Sequence, residues 1–505
     1  MFRIFGPPGT GKTTTLLNMV ASALESGTSP NEIAFLAFTK KAATEAKIRA
    51  SEKFHLDPDK DLIFFRTIHS LALSMTDISK DQIMQEENYR ELSDIMGVSV
   101  TAKNMVGYDD NVLELSKSSH PILGLINLAR LKKQNLREAY NQSHLEEDWN
   151  TINYVNNALV DYKKRFNLYD FTDMLELFIK QGDKYCPNFA LTFLDEAQDL
   201  SPLQWDIAHI LDQRSKKMYC AGDDDQAIYR WAGADVDHFI NLEGSSETLS
   251  QSYRVPKVAW FLAYKVSRRI SGRFPKRYKA SDRMGKLVRI TTISELNMDE
   301  GTWLILAQAG YHLQPVAQDL KSFGYLFNYR GVKSVPEKIV QAVNGWEQLR
   351  KGHQISGEIA RKIYSFMSVK NRITRGFKKL SGLDDTDFVT LEDLQSNHGL
   401  LATDQMIWHD AMDKLPEIDR AYIVAMLRRG EKFNKEPRIT VSTIHGSKGG
   451  EADNVVIFTD LSPAADAEMN INPDDLHRLF YVAVTRTKEN LYIVESEDVT
   501  RSYDL

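Results

Sequence analysis

The chain opens MFRIFGPPGTGKTTTLL (residues 1–17), and the reading of this stretch decides the fold. Gly6 to Thr13 spell GPPGTGKT, a GxxxxGKT phosphate-binding loop. Such a loop needs a buried strand before it and a helix after it, yet only five residues precede it. Phe2-Arg3-Ile4-Phe5 suits a short strand, being aromatic and branched. Gly6 starts the turn, Pro7 and Pro8 stiffen it, and Gly9 and Gly11 let backbone amides approach an anion. Lys12 can reach the β- and γ-phosphates, and the Thr13 hydroxyl can ligate Mg²⁺. TTTLLNMVASALES (13–26) reads as a helix whose N-terminus faces the phosphates. The nucleotide-binding set expected here is Gly6, Pro7, Pro8, Gly9, Thr10, Gly11, Lys12, Thr13 and Thr14.

A phosphate loop marks a nucleoside triphosphatase, and downstream segments narrow the chemistry. LTFLDEAQD (191–199) is an apolar strand ending in acids. Asp195 stands where a carboxylate can hold Mg²⁺, and Glu196 where one can orient or deprotonate the attacking water. MYCAGDDDQAIYRWAGAD (218–235) is a second strand running into a polar loop. The Gln226 amide can bond the γ-phosphate and report its loss. Tyr229 and Trp231 follow at alternate positions, either as core or as a platform on which bases stack.

The 505 residues are 42% hydrophobic and 26% charged, the composition of a globular protein of about three to five compact units. No apolar run approaches the ~18 residues of a membrane span, and the N-terminus has no secretory pattern. The two cysteines, Cys186 and Cys220, fit a reducing compartment and argue against zinc or an iron–sulfur cluster. The net charge of −6 does not advertise a nucleic-acid binder, although one positive groove can coexist with an acidic whole.

Taken in order, these segments resemble the motifs of superfamily 1A helicases of the UvrD/Rep/PcrA family. GPPGTGKT, LDEAQD and GDDDQAIYRWAGAD are similar to the family's first, second and third motifs. LAFTKKAATEAKIR (36–49) and RTIHSLAL (66–73) resemble its single-strand-contacting segments, and YDFTDML (169–175) a signature before the Mg²⁺-binding strand. LSQSYRVP (249–256), ITVSTIHGSKGGEADNVVI (439–457) and LFYVAVTRTKENLYIV (479–494) resemble the fourth, fifth and sixth motifs. Any one match is weak to moderate; the ordered set is specific.

The resemblance implies an α/β fold with two RecA-like P-loop NTPase domains, each carrying a mainly helical inserted subdomain, and ATP bound between the two. It implies that Arg254 and Arg486 are arginine fingers supplied by the second core. With Lys12, Glu196 and Gln226 they complete the catalytic set. Tyr253 would stack on adenine and Glu451 would contact the ribose. Thr13 and Asp195 would hold Mg²⁺, and Phe38, Thr39, His69, Tyr229, Trp231 and His445 would touch the nucleic acid. The family carries a glutamine-bearing segment upstream of the loop that reads the adenine edge. The sequence starts too late to show it, so the chain is expected either to be truncated or to hold adenine mainly through Tyr253. Two residues depart from the family pattern: Ala232 stands where an arginine is frequent, and Gly450 where a leucine is usual.

The organisation expected along the chain is a first core over 1–74 and 166–248 with a helical insertion over 75–165. A second core spans 249–335 and 438–505, with a short helical insertion over 336–437. Runs such as ILGLINLARLKKQNLREAY and EKIVQAVNGWEQLRKG carry the helical readings. LVRITTIS, TWLILAQAG, GYLFNYR and RITVSTI carry the strands of the second core. KVSRRISGRFPKRYKASDRMGK (265–286) holds one acid, Asp282, among nine lysines and arginines. It is either a solvated basic face or a phosphate-contacting surface.

The function expected is an ATP-dependent helicase and translocase on single-stranded DNA and single/double-strand junctions, with ATP and Mg²⁺ as cofactors and the family's 3′→5′ polarity. Replication or repair proteins are candidate partners. No membrane is involved, and the location expected is cytoplasmic, in a bacterium or in a host cell if the protein is viral. The alternative is a nucleic-acid-dependent ATPase that strips or remodels bound proteins with little unwinding.

Overall fold

The computed structural model describes residues 1–38, 40–100, 120–143 and 145–505. The chain divides into two compact units, one of Met1–Met284 with Glu468–Arg486, the other of Gly285–Ala467 with Thr487–Leu505. Residues 249–284, read from sequence as the start of the second core, thus pack with the first unit.

The first unit is built on six parallel strands: β1 (Phe2–Phe5), β2 (Ile33–Ala37), β3 (Phe65–Thr67), β4 (Phe189–Leu194), β5 (Ser215–Gly222) and β6 (Ser246–Thr248). Their spatial order is β3-β2-β4-β5-β1-β6. The four residues of β1 suffice because β5 and β6 pair with both its edges. Its side chains alternate between faces, as a strand requires. Ile4 joins Leu16, Leu17 and Val20 of the helix Lys12–Glu25 on one side. Phe5 joins Phe239 and Cys220 on the other, with the Phe274 ring stacked on it at 3.9 Å. Helices cover both faces, which is why the strands read as continuous apolar runs.

Within 75–165 the described helices are Glu86–Met96, Pro121–Leu131, Leu136–Asn141 and Trp149–Phe166. They share a core of Leu92, Ile122, Ile126, Ile152, Val155 and Leu159. The YDFTDML signature starts the helix Phe171–Tyr185 with an Asp170/Asp173 capping box. Arg130 and Lys163 from the preceding helices neutralise both acids, with Arg130 Nη1 2.8 Å from Asp170 Oδ2 and Lys163 Nζ 2.7 Å from Asp173 Oδ2. The signature therefore fastens the helical subdomain to the sheet domain.

The second unit carries β7 (Lys286–Ile290), β8 (Trp303–Ala307), β9 (Phe327–Tyr329), β10 (Val332–Lys333), β11 (Ile355–Ser356), β12 (Phe388–Val389), β13 (Ile439–Thr443), β14 (Ala452–Phe458) and β15 (Thr487–Val494). Seven of these form one sheet in the order β10-β9-β13-β8-β14-β15-β7, antiparallel only between β10 and β9. Helices Glu337–Arg350, Gly357–Ser365 and Glu417–Arg428 add Trp346, Ile363 and Ile423 to its core. The stretch 336–437, read as helical, also holds the short antiparallel pair β11–β12.

Candidate nucleotide-binding site and strand-contact residues

The loop Gly6–Gly11 leaves β1 and turns into the helix Lys12–Glu25. Gly6 N–H donates to Gly222 O at 2.9 Å, which ties the loop to β5, and Thr10 Oγ1 donates to Pro7 O at 2.7 Å, which closes its turn. Gly9 and Gly11 hold φ of 70° and 77°, a region that costs other L-residues strain. At Gly9 the space is also taken: an added Cβ would lie 2.4 Å from Arg254 Cβ. Thr14 is exposed on the first helical turn.

Asp195 and Glu196 follow β4, one strand away from β1 across β5. Thr13 Oγ1 donates to Asp195 Oδ2 at 2.6 Å, and Lys12 Nζ lies 2.6 Å from Glu196 Oε1 and 3.9 Å from Asp195 Oδ1. Burial pulls Lys12 down, but Glu196, Asp195 and Asp223 outweigh it and hold the ammonium above its usual range. Glu196 itself has φ 58°, a left-handed non-glycine residue of the kind that marks functional turns. The hydroxyl, ammonium and two carboxylates thus converge at one helix N-terminus.

Gln226 follows β5 and is buried. Its Nε2 donates to Asp223 Oδ2 at 2.7 Å, and its Oε1 accepts from Arg486 Nη2 at 2.6 Å. Arg254 lies beside the loop, because Ser252 Oγ donates to Pro8 O at 2.7 Å and Tyr253 N–H to Gly9 O at 2.8 Å. The sequence assigns both arginines to the second core; the packing places both in the first unit. The reason is local. Asp474 accepts from Ser271 N–H and Gly272 N–H at 2.9 and 3.1 Å, and Arg478 Nε donates to Asp224 O at 3.0 Å. These bonds bind the segment 468–486 to 249–284 and to the loop after β5. Glu451 and His445 lie in the second unit, where Glu451 Oε1 is 2.7 Å from Lys488 Nζ.

Three of the strand-contact candidates form one aromatic group. The Phe38 and Tyr229 rings stack at 5.7 Å, and Trp231 meets Tyr229 edge-on at 6.4 Å. Trp231 is 40% exposed and Tyr229 only 6%. Burial, with Asp199 and Glu196 nearby, pushes the Tyr229 hydroxyl well above its usual range. Of the two readings offered by sequence, Tyr229 takes the core role and Trp231 presents its ring to solvent. His69 belongs to a different pair, edge-on to Phe171 at 6.4 Å. Thr39 lies outside the described residues.

The basic run 265–286 is neither of the surfaces expected of it at its centre. Lys276 is fully buried, with Nζ 3.0 Å from Asp223 Oδ1 and 3.1 Å from Asp225 Oδ2 and in contact with Asp224. Arg273 forks onto Asp225 at 2.8 and 2.5 Å. Sequence reasoning missed this pairing. The signal was there, because three consecutive acids at the end of a buried strand demand counter-charges and the basic run is the acid-poor stretch that can supply them. Arg283 donates to the backbone oxygens of Tyr253 and Arg254 at 3.1 and 2.9 Å.

Residues 2–247 match the UvrD/REP helicase N-terminal domain, and residues 438–494 the UvrD-like helicase C-terminal domain. The chain is 30% identical over 284 residues to "ATP-dependent DNA helicase PcrA" of Bacillus subtilis (strain 168), covering 53% of this chain and 37% of that protein. Proteins of the same name from Leuconostoc citreum and Staphylococcus aureus (strain Mu50 / ATCC 700699) match at 28% and 26% identity. Each of these alignments covers 54% of this chain and 38% of the relative. The chain thus matches well under two thirds of these relatives' length. "The structure of PRRSV helicase" aligns over 100% of this chain and 54% of its own at a TM-score of 0.35 and 10% identity, too distant to bear on the argument. With the motifs in family order along the sequence and the two domain matches together spanning more than half of the chain, the protein belongs to the UvrD/Rep/PcrA family of superfamily 1 helicases, built on two RecA-like domains.

Proposed function

We propose that the protein hydrolyses ATP and couples hydrolysis to movement along single-stranded DNA and to duplex opening. The observation that carries this is the convergence of Lys12, Thr13, Asp195 and Glu196 within hydrogen-bond reach, with the Gln226–Arg486 pair in the same unit. Backbone amides of the loop and the Lys12 ammonium bind phosphate oxygens. Glu196 orients or deprotonates the attacking water, a role worth ~10²–10⁴ in rate. Arg254 and Arg486 contribute planar cations to the charge that spreads in the transition state, and Gln226 senses the γ-phosphate. The Thr13 hydroxyl and Asp195 carboxylate, 2.6 Å apart, suit Mg²⁺, which when bound supplies positive charge to the phosphate oxygens. Tyr253 stacks on the base, and Glu451 contacts the ribose.

The exposed Trp231 ring, braced by Tyr229 and Phe38, is the main support for a strand grip in the first unit. Thr39, His69 and His445 are proposed contacts on the family resemblance. The 3′→5′ polarity, single/double-strand junctions as substrates, replication or repair proteins as partners and a cytoplasmic location belong to the same proposal. The two cysteines, both buried and free, suit a reducing compartment. Among the described residues no helix is long and apolar enough to cross a membrane.

The test is the ATPase rate without nucleic acid, with single-stranded DNA and with single-stranded RNA, for wild type, Lys12→Ala and Glu196→Gln. Stimulation by DNA, abolished in both variants, is expected, with Glu196→Gln still binding ATP. Wild-type turnover in either variant refutes the site. Unwinding of 3′-tailed and 5′-tailed duplexes, set beside displacement of a bound protein, separates a helicase from a remodelling ATPase.

A further inference from the structure

Gln198 sits in the 3-10 turn Ala197–Asp199, fully buried, and its side-chain amide is engaged at both ends. Its Nε2 donates to Glu196 Oε2 at 2.7 Å and to Asp199 Oδ2 at 3.2 Å. Its Oε1 accepts from Asp223 N–H at 3.0 Å. The partners fix the orientation of the amide, because carboxylates take only its NH₂ and a backbone N–H only its oxygen. Close approach to β5 depends on a glycine: a Cβ on Gly222 would lie 2.5 Å from Gln198 Oε1. From Asp223 the path continues through Gln226 Nε2, 2.7 Å from Asp223 Oδ2, to Arg486 Nη2, 2.6 Å from Gln226 Oε1. Hydrogen bonds on the backbone and the side chain of Asp223 therefore link the Glu196 carboxylate, through Gln198, to the Gln226–Arg486 pair.

We propose that Gln198 is a positioning residue for Glu196, fixing its carboxylate for water activation and tying its orientation to the loop that carries Gln226. This rests on the reading of Glu196 as the water-orienting acid. The Glu196 side chain is 28% exposed and has Lys12 at one oxygen and Gln198 at the other. Lys12 is the group that phosphate oxygens draw to themselves. Gln198 is held to the sheet by its bond to Asp223 N–H, so it remains as the fixed donor when the lysine turns to substrate. A carboxylate anchored through one oxygen presents the other in one direction. Losing that anchor misplaces the base by a fraction of its own length, and misplacement of about 1 Å costs on the order of 10²-fold in rate.

The experiment is steady-state ATPase on the full chain with ATP, Mg²⁺ and poly(dT), with a melting temperature for every variant. The variants are Gln198→Met, Gln198→Glu, Glu196→Gln and the double variant Gln198→Met/Glu196→Gln. Gln198→Met keeps the buried volume and loses the donor. Its kcat is expected to fall roughly 10²-fold with the KM for ATP unchanged. Gln198→Glu is isosteric, keeps an acceptor for Asp223 N–H, sets a second carboxylate against Glu196, and is expected to fall as far. The double variant is expected to be no slower than Glu196→Gln alone, because Gln198 acts through that carboxylate. Wild-type kcat in Gln198→Met or Gln198→Glu, with Glu196→Gln slowed to a small residual rate, overturns the positioning role and leaves the ATPase reading standing. A double variant slowed by the full single-variant factor also overturns it, since that is the pattern of a general structural defect. Wild-type turnover in Glu196→Gln overturns the ATPase site and this role with it.

Discussion

Arg486 and Gln226, 260 positions apart in the chain, share a hydrogen bond of 2.6 Å between Nη2 and Oε1. Both are buried, and Arg486 also donates from Nε to Val482 O at 3.1 Å. The arginine therefore has a structural partner as well as a proposed catalytic task, while Arg254 is only half-buried.

This difference separates the two arginines experimentally. Arg486→Ala removes a charged donor from a buried carboxamide, which costs about 1.5–3 kcal/mol and should lower the melting temperature. Arg254→Ala should shift it less. Both should cut stimulated turnover by ~10³–10⁵. Near-normal rates in both, measured on folded protein, would rule out the arginine-finger assignment.

Trp231 and Tyr229 should part in the opposite sense. Trp231→Ala should weaken single-strand binding by ~1–3 kcal/mol with little change in melting temperature, because its ring is 40% exposed. Tyr229→Ala opens a hole beneath it and should cost ~3–5 kcal/mol of stability. Fluorescence anisotropy with a labelled oligonucleotide and thermal melts on both variants decide the matter. A destabilised Trp231→Ala with unchanged affinity would refute the stacking role.

Tyr253 presents a ring that is 72% exposed while its backbone N–H is fixed to Gly9 O at 2.8 Å. A ring so placed can stack on a base without reading its edge. Tyr253→Ala should raise the KM for ATP and leave kcat nearly unchanged, the signature of uniform binding. GTP should be hydrolysed within roughly tenfold of ATP, about 1.4 kcal/mol. A preference for ATP above ~10³ would show that other groups read adenine.

The acid triad after β5 makes stability depend on pH. Burial pushes Asp224 up to about 6, with Asp225 and Asp223 adding to it against the pull of Lys276. The unfolded chain releases that proton near 3.8. Between the two values the folded state binds more protons, so this group's contribution falls as pH rises from about 4 to about 6 and is level above. Asp225 has the opposite sign: burial opposes it, but Lys276 and Arg273 hold it below 3.8. Its stabilisation is present at neutral pH and is lost as acid titrates it. Asp224→Asn should abolish the fall between pH 4 and 6, so that it gains on wild type at pH 7 relative to pH 4. Urea unfolding across that range measures it; parallel curves for the two proteins exclude the mechanism.

Much of the site was legible because its chemistry is local in sequence. Gly6–Thr13, Asp195–Glu196 and Gln226 each follow a strand, and the strand, loop and helix are written together. Strands β8, β9 and β13 were likewise readable from apolar runs. What sequence could not give were pairings between distant segments. The letters RFPKR (273–277) alone do not say that Lys276 is fully buried against Asp223–Asp225. A lysine's charge reads as surface until a buried acid is known to face it. Tyr229 and Trp231 are equivalent as letters, and their burial, with the Phe38 ring stacked on Tyr229, tells them apart. The packing of 249–284 with the first unit rests on contacts of the same kind: Ser252 and Asp474 act through hydrogen bonds to backbone far away in the chain.

Each unit draws on residues at both ends of a long excursion. The first needs Glu468–Arg486 to receive Arg478 and Arg486, and the second needs Thr487–Leu505 to place β15 between β14 and β7. A ribosome delivers these pieces only after the rest of both units. The usual order of synthesis, in which an N-terminal domain finishes folding while the next is still being made, is closed to this protein. Until those residues are made, the phosphate loop exists without Arg486, and the acid triad after β5 without Arg478. Both units reach their final form only after these segments emerge, so a nascent chain stalled short of residue 486 should be protease-sensitive in both.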